Sequence, residues 1–299
     1  APTANLSELN GGFIPFREGG GNQSNSLRLK AKDGQEFVMR GVKKSAVRFL
    51  NNMAFTKSTF GEELTNTFPE KFLLDFYTTN HPFTPFSVGN MADKLNIIHS
   101  NPKLYYIPKQ QALDKYNLNY GDEMYMIEER FSSDPKTLTY LNNAKDILST
   151  DDVLKNLSKS SKYSVDKESY IRARLFDMLI GDWDRHSDQW KWAEYEDGDK
   201  IIYKPIPKDR DQAFSKYDGA AFKLIMNVPA IRHMKTFTED ISSVKWVNME
   251  PYPMDLVFLK GSTQEEWETQ AKYIQEHLTD ADIDDAFHNL PKEVQDDTI

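Results

Sequence analysis

The sequence predicts an α+β fold of two lobes: a small antiparallel-sheet lobe over residues 1–131 and a mainly helical lobe over residues 132–299. Three observations predict it. The first 45 residues are punctuated by glycine and alternate in the manner of strands. From Leu141 onward, apolar residues recur at helical spacing. A second hairpin, turning at Asp197-Gly198, interrupts the helical half. The 299 residues suffice for two such lobes at roughly 150 residues per domain.

In chain order, Gly11-Gly12 and Gly19-Gly20-Gly21 flank a short apolar piece, Phe13 to Phe16. Ser26 to Lys30 alternates, with Leu27 and Leu29 on one face. Asp33-Gly34 is a hairpin turn, and Glu36 to Val42 returns with Phe37 and Met39 on a shared face. Pro69 to Thr78 reads as a helix opened by proline. Leu104 to Ile107 and Met124 to Glu128 read as strands. After a polar break at Ser158 to Lys162, Asp166 to Ile180 is a helix with Ile171, Leu175, Met178 and Leu179 on its apolar stripe, stopped by Gly181. Trp190 and Trp192 share a face of the next strand, and Ile201 to Tyr203 returns. Ser262 with Glu265 reads as a capping box for the helix carrying Trp267, Ala271, Ile274 and Leu278.

Composition removes whole classes of function. A formal net charge of −9 argues against nucleic-acid binding, which needs a basic face to displace counterions. The same charge argues against docking on an anionic membrane surface. No run approaches the ~18 apolar residues of a membrane span. With no cysteine, there is no disulfide, thiolate zinc site or cysteine nucleophile. That absence fits an oxidising compartment. The chain begins Ala1-Pro2-Thr3, so it reads as a processed secreted protein or a piece of a longer one. The helix opened by Pro291 and cut off at Ile299 favours the longer protein.

Chemistry concentrates in two stretches. Gly181-Asp-Trp-Asp-Arg-His-Ser-Asp-Gln189 places three carboxylates, an imidazole and a guanidinium between a buried helix and a hairpin. Lys208-Asp-Arg-Asp-Gln-Ala-Phe214 follows the hairpin's return strand. The hairpin brings both stretches to one end of its sheet, and with them Asp184, Gln189 and Asp209. Clustered oxygen donors suit Mg²⁺ or Mn²⁺, and Mg²⁺ is usually bound together with substrate phosphates. Arg17 to Asn25 is a glycine-rich turn of the kind that lets backbone N–H groups approach phosphate. It is not a Walker motif, because it lacks the closing Gly-Lys-Ser/Thr and precedes a strand.

The order of these parts resembles the protein-kinase-like superfamily: glycine-rich loop, hairpin, basic strand residue, helix, hinge strand, buried helix, catalytic loop, hairpin, metal Asp. Asp184-Arg-His-Ser-Asp-Gln189 is similar to the Asp-Arg-His-x-x-Asn loop of the atypical branch, which includes phosphatidylinositol kinases, secretory-pathway kinases and HipA-type kinases. Asp209-Arg-Asp-Gln-Ala-Phe214 is similar to the secretory kinases' metal motif. Residues 17 to 215 also resemble a bacterial, Bacteroidetes-type cell-envelope domain linked to surface and phosphoesterase proteins. That likeness implies a periplasmic, cell-surface or secreted setting.

The resemblance implies a two-lobed kinase-like fold binding ATP or another nucleotide with Mg²⁺ or Mn²⁺, and transfer of a phosphoryl group to a hydroxyl of a protein, lipid or small molecule. Asp184, Arg185 and His186 would form the catalytic set, with Asp184 orienting or deprotonating the acceptor. His186 would organise the loop or act as acid or base. Gln189 and Asp209 or Asp211 would hold the metal. Gly19, Gly20 and Gly21 would cover the phosphates, Arg40 would contact them, and Asp75 or Glu70 would pair Arg40, with Asp75 favoured. Glu128 and Glu129 would fall in the hinge that meets the base.

Gln189 stands where the family has Asn, Arg40 stands where it has Lys, and Asp211 duplicates Asp209. The first two departures favour an alternative, a pseudokinase-like binding module. A second alternative is a metal-dependent phosphohydrolase using Asp182, Asp184, His186, Asp209 and Asp211 as a two-metal cluster. Asp182 reads better as a cap or structural acceptor. Asp280-Ala-Asp-Ile-Asp284 imitates a calcium loop but lacks the glycine and glutamate that loop needs, so it reads as an acidic first helical turn.

Overall fold

Phe13–Glu18 (β1), Ser26–Ala31 (β2), Glu36–Gly41 (β3), Lys103–Ile107 (β4) and Glu123–Glu129 (β5) form an antiparallel sheet ordered β1-β2-β3-β5-β4. The computed structural model describes residues 1–19, 24–43, 79–131, 135–217, 232–288, 290 and 292–295. The alternation in β2 and β3 has its expected consequence. Leu27 sits opposite Met39, and Leu29 opposite Phe37. All four are buried, together with Tyr125 and Ile127 of β5. Leu113, Tyr116 and Tyr120 complete this core, and the Tyr120 hydroxyl donates to the Ser26 carbonyl at 3.1 Å. The β2–β3 turn works as its residues require: Gly34 takes φ +93°, and Asp33 Oδ1 accepts from the Gln35 N–H at 2.9 Å.

A second sheet contains Asp146–Ser149 (β6), Tyr163–Val165 (β7), Trp190–Asp197 (β8) and Lys200–Pro207 (β9), ordered β6-β8-β9-β7. β7 runs parallel to β9, and the other pairs are antiparallel. Helices Thr84–Lys94 (α1), Thr150–Lys159 (α2), Lys167–Leu179 (α3), Tyr252–Phe258 (α4), Gln264–His277 (α5) and Asp280–His288 (α6) accompany it. The core is aromatic. Trp192 packs 5.6 Å from Tyr170 of α3 and 4.7 Å from Phe258 of α4, ring to ring. The Trp192 indole N–H donates to Thr150 Oγ1 at 3.1 Å, so the large ring is buried without an orphaned donor.

Packing divides the chain into two compact units, Ala1–Thr79 with Asn101–Arg130 and Asn80–Ser100 with Phe131–Ile299. Three features differ from the sequence expectation, besides the face of α3. The single boundary at residue 131 leaves out α1, which packs in the second unit because Val88, Met91 and Ala92 join its core. The stretch after Leu141 is not uniformly helical. It contains β6, whose Ile147 and Leu148 face Ala193 and Trp192 of β8. The capping box of α5 is Thr263 with Glu266, one residue along from the expected pair. Thr263 Oγ1 accepts from the Glu266 N–H at 3.3 Å, and Ser262 Oγ instead takes the Trp267 indole N–H at 3.2 Å. The helix expected at Pro69 to Thr78, with Glu70 and Asp75, lies outside the described residues, as do Gly20 and Gly21.

α3 differs from its expected stripe in a way that matters for the site. Tyr170, Ile171, Ala173, Arg174, Phe176 and Asp177 are its buried residues, whereas Leu179 is 47% exposed. The buried face therefore carries a charge pair, Arg174 Nη1 to Asp177 Oδ2 at 3.0 Å. Two ionised side chains go inside because each supplies the other's partner. Gly181 ends the helix at φ +68°, and a methyl group there would lie 2.9 Å from Phe237 Cδ2. Gly181→Ala is thus expected to cost more than about 1 kcal/mol, from the left-handed backbone and the ring contact together. Urea unfolding measures it, and an unchanged midpoint would show that neither constraint is real.

Candidate functional site

The loop after α3 is built from the helix outward. The Ile180 N–H closes on the Phe176 carbonyl at 3.0 Å and the Asp182 N–H on the Asp177 carbonyl at 2.9 Å. Asp182, buried, turns the chain by accepting the Asp184 N–H at 3.3 Å on Oδ1. Burial pushes its carboxyl well above the usual carboxylate range, opposed by the Arg185 guanidinium 3.5 Å away. This is the structural acceptor its sequence position suggests.

Arg185 is fully buried. Its Nη1 donates to the Lys208 carbonyl at 2.7 Å, its Nη2 to the Gln189 carbonyl at 3.3 Å and its Nε to Asp177 Oδ2 at 3.3 Å. The guanidinium also lies 4.7 Å from the Trp190 ring. Arg185 therefore ties its own loop to the one after β9. The backbone repeats the tie, because the Lys208 N–H donates to the Gln189 carbonyl at 2.8 Å and the Phe214 N–H to the Ile180 carbonyl at 2.8 Å. Both stretches leave from paired ends of one hairpin, with Trp190 opposite Pro207.

His186 opens the short 3₁₀ turn Ser187–Gln189, its Nδ1 accepting from the Asp188 N–H at 3.2 Å. With Nδ1 an acceptor, the ring proton of the neutral imidazole belongs on Nε2. That atom lies 3.7 Å from Asp184 Oδ1, too far for a hydrogen bond, and 3.5 Å from the Gln189 side-chain nitrogen Nε2. Thr150 Oγ1 donates to the Ser187 carbonyl at 2.8 Å, fastening this turn to the aromatic core.

Asp184 has the informative electrostatics. Its carboxyl is raised from an ordinary 3.8 to about 6, first by burial and then by the charges of Asp211 and Asp209, with His186 and Arg185 pulling the other way. The three acids are thus close enough for two of them to burden the third. Asp209 sits at φ +50° and Phe214 at φ +57°, so the second loop holds two non-glycine residues in the left-handed region. Asp211 Oδ1 accepts from Gln212 Nε2 at 3.0 Å. The Gln212 carbonyl oxygen Oε1 accepts in turn from Asn80 Nδ2 at 2.9 Å and the Tyr217 hydroxyl at 3.2 Å.

The raised carboxyl makes a prediction for the metal-free protein. An unfolded Asp titrates near 3.9. Below about pH 4 both states are protonated and burial of Asp184 carries no charge penalty. From there to about pH 6 the unfolded chain ionises first and stability drains away. Above about pH 6 the loss is complete, about 3 kcal/mol. Asp184→Asn in EDTA should match the wild type near pH 4 and exceed its stability near pH 7.5. Equal urea midpoints at both pH values would contradict this.

Among the described residues, no three His, Asp or Glu side chains converge as a ready-made metal site. A Mg²⁺ site completed by substrate phosphates needs only one or two protein oxygens. The donor set of Asp209, Asp211 and the Gln189 amide fits that requirement in chemistry, and the burden on Asp184 is one that a cation would relieve.

In the first unit, Arg40 Nη2 lies 3.6 Å from Glu128 Oε1, and Glu129 Oε2 accepts the Asn101 N–H at 3.1 Å. Both acids lie within β5, opposite Val38 and Phe37. Gly19 has a packing reason of its own: its N–H donates to the Ser26 carbonyl at 2.7 Å, and a Cβ there would fall 2.3 Å from Ser26 Oγ.

Sequence reasoning did not single out Asp177, Arg174 or Arg210. Asp177 is fully buried. Burial alone would raise its carboxyl, but the Arg185, Arg210 and Arg174 guanidiniums hold it below the usual range. The available signal was the i, i+3 pair of opposite charges within a helix otherwise read as buried.

No protein-family model matches the chain, and a comparison with curated proteins finds no match. Solved structures do resemble it. The Helicobacter pylori proinflammatory kinase CtkA is 10% identical with a TM-score of 0.44, over 89% of this chain and 83% of its own. The Chaetomium thermophilum Rio2 kinase in an ADP/Mg²⁺–phosphoaspartate complex is 14% identical with a TM-score of 0.34, over 88% of this chain and 71% of its own. A second structure of that kinase is 13% identical with a TM-score of 0.32, over 88% and 74%. Likenesses at this level assign no role to any residue here.

Proposed function

We propose that the chain is a metal-dependent phosphotransferase of the kinase-like type, moving the γ-phosphoryl group of ATP or another nucleotide to a hydroxyl. The observation that carries this reading is Asp184: a partly buried carboxylate with its carboxyl raised to about 6, on a loop locked at both ends, beside two further acids. Burial, the first cause, keeps the carboxylate basic with or without a cation, and the charges of Asp211 and Asp209 add to it only in the metal-free protein. Asp184 accepts the hydroxyl proton, the freed oxygen bonds to the γ-phosphorus, and the nucleoside diphosphate leaves. His186, with Nε2 3.7 Å from Asp184 Oδ1, favours the ionised Asp184 carboxylate, and Arg185 positions the loop.

Asp209 and Gln189 hold Mg²⁺ or Mn²⁺, with Asp211 as the alternative acid. The cation supplies charge neutralisation on the transferring group. In the first unit the reading assigns Gly19–Gly21 and Arg40 to the phosphates, Glu128 and Glu129 to the hinge, and Asp75 to Arg40. In the structure Glu128 lies 3.6 Å from Arg40, so an acid other than Asp75 neighbours this guanidinium. Among the described residues, the order of the first sheet, α3, the Asp184 loop, the β8–β9 hairpin and the Asp209 loop supports the kinase-like assignment. The cysteine-free composition supports a periplasmic, cell-surface or secreted setting. Among the described residues no helix is long and apolar enough to cross a membrane.

The direct test is release of nucleoside diphosphate and labelling of an acceptor from γ-labelled ATP, with Mg²⁺, with Mn²⁺ and in EDTA. Metal-dependent turnover abolished by Asp184→Asn supports the reading. Nucleotide binding without turnover on any acceptor moves it to the binding-module alternative, for which Gln189 and Arg40 are the sequence features.

A further inference from the structure

We propose that Asp177 is the positioning residue that sets the Asp184 loop against the Asp209 loop, an inference that rests on reading those loops as the reactive site. One carboxylate takes bonds from both. Its Oδ2 accepts from Arg185 Nε at 3.3 Å, and its Oδ1 accepts from Arg210 Nη2 at 3.0 Å and Nε at 3.2 Å. Arg185 is the neighbour of Asp184, and Arg210 stands between Asp209 and Asp211. The Asp177 carbonyl also accepts the Asp182 N–H at 2.9 Å, so the same residue starts the first loop's turn. Asp177 lies on α3, the buried helix behind both loops. Moving the Arg185 or Arg210 guanidinium relative to α3 would therefore break a bond at Asp177.

The cluster is ill suited to stability alone. Asp177, Arg185 and Arg174 are all buried to within 1% of complete, and Arg210 is 6% exposed. Three guanidiniums gather on one fully buried carboxylate, and apolar residues of similar volume usually serve a core as well or better. What the charges add is direction, because a guanidinium fork accepts a carboxylate only in a narrow set of geometries. Arg174 provides the internal control. It bonds Asp177 at 3.0 Å and Asp255 at 3.2 Å, and also Asn248, but touches neither loop.

The test compares Asp177→Asn with Arg174→Gln in protein labelled with 5-fluorotryptophan. Trp183 and Trp190 bracket the first loop, and Trp267 on α5 lies outside both loops and serves as the reference. Asp177→Asn should shift or broaden the ¹⁹F signals of Trp183 and Trp190, leave Trp267 in place, and lower kcat about 100-fold with a smaller change in nucleotide KM. Arg174→Gln should melt earlier yet keep those signals and a rate within about threefold of wild type. Asp177→Asn behaving like Arg174→Gln in both readouts overturns the proposal. If Asp177→Asn does not fold, Arg185→Lys, Arg210→Lys and their double variant decide. Loss through one shared carboxylate makes the double no worse than the worse single variant, whereas additive losses refute the shared role. Absent turnover in the wild type would sink the functional reading alone, since the ¹⁹F comparison still judges the positioning.

Discussion

Asp184→Asn is expected to lower kcat about a thousandfold while changing the nucleotide KM only a few-fold. The range for a positioned acid or base is about 10²–10⁴. An amide has nearly the shape of the carboxylate, and Asp184's backbone N–H bond to Asp182 Oδ1 survives the change. The loop therefore keeps its course, held by Arg185 and by the Thr150 hydroxyl on the Ser187 carbonyl. What disappears is the site that takes the acceptor's proton. The same substitution should make the metal-free protein more stable at neutral pH, because the raised carboxyl carries a standing penalty from burial and from Asp211 and Asp209. A variant that is dead and more stable is the signature of a residue kept for chemistry rather than for the fold. Steady-state rates with Mg²⁺, alongside urea curves in EDTA, measure both signs. Wild-type turnover in Asp184→Asn would remove Asp184 from the mechanism. Loss of rate together with loss of stability would mark it as structural.

Most of the sheet in the first unit was legible because strands there have one wet face. Leu27 and Leu29 alternate with Arg28 and Lys30, Phe37 and Met39 with Glu36, Val38 and Arg40, and Asp33-Gly34 declares the turn. The hairpin at Asp197-Gly198 was legible for the same reason, and it joins the two loops that carry the candidate site. β6 and β7 were not legible. At four and three residues they are too short to show a period, and Tyr163–Val165 becomes a strand only by pairing with β9. The inward face of α3 was half legible. Ile171 is buried as expected, but hydrophobicity cannot report that Arg174 and Asp177 go inside, since their burial depends on Arg185, Arg210 and Asp255, residues 8 to 81 positions away. The candidate acids were visible in the sequence as types and spacing. That two of them raise the third was not, because charge coupling is a property of distance.

Asp209→Asn is expected to remove the stabilisation that nucleotide and metal give together. In the wild type, nucleotide with Mg²⁺ at about 100 times its Kd should add ~2.7 kcal/mol, a rise in Tm of several degrees for a chain of this size. The substitution removes one negative oxygen donor, and Mg²⁺ selects for charged oxygen over amide oxygen. It leaves Asp211 with Gln212 and leaves Arg210 on Asp177, so the loop itself stays anchored. Asp209 at φ +50° is also a position that Asn tolerates as well as Asp does, so backbone strain does not change. The loss should therefore appear in the ligand-dependent rise, while the metal-free baseline melt holds or rises slightly, because one of the charges burdening Asp184 is gone. Asp211→Asn separates the two acids: the variant that loses the metal-dependent rise identifies the ligand, and loss in both means that the pair acts together. A rise with nucleotide alone, unchanged by EDTA and by either substitution, would mean that neither acid holds a cation. The second loop would then matter only as the scaffold that keeps Asp184 raised.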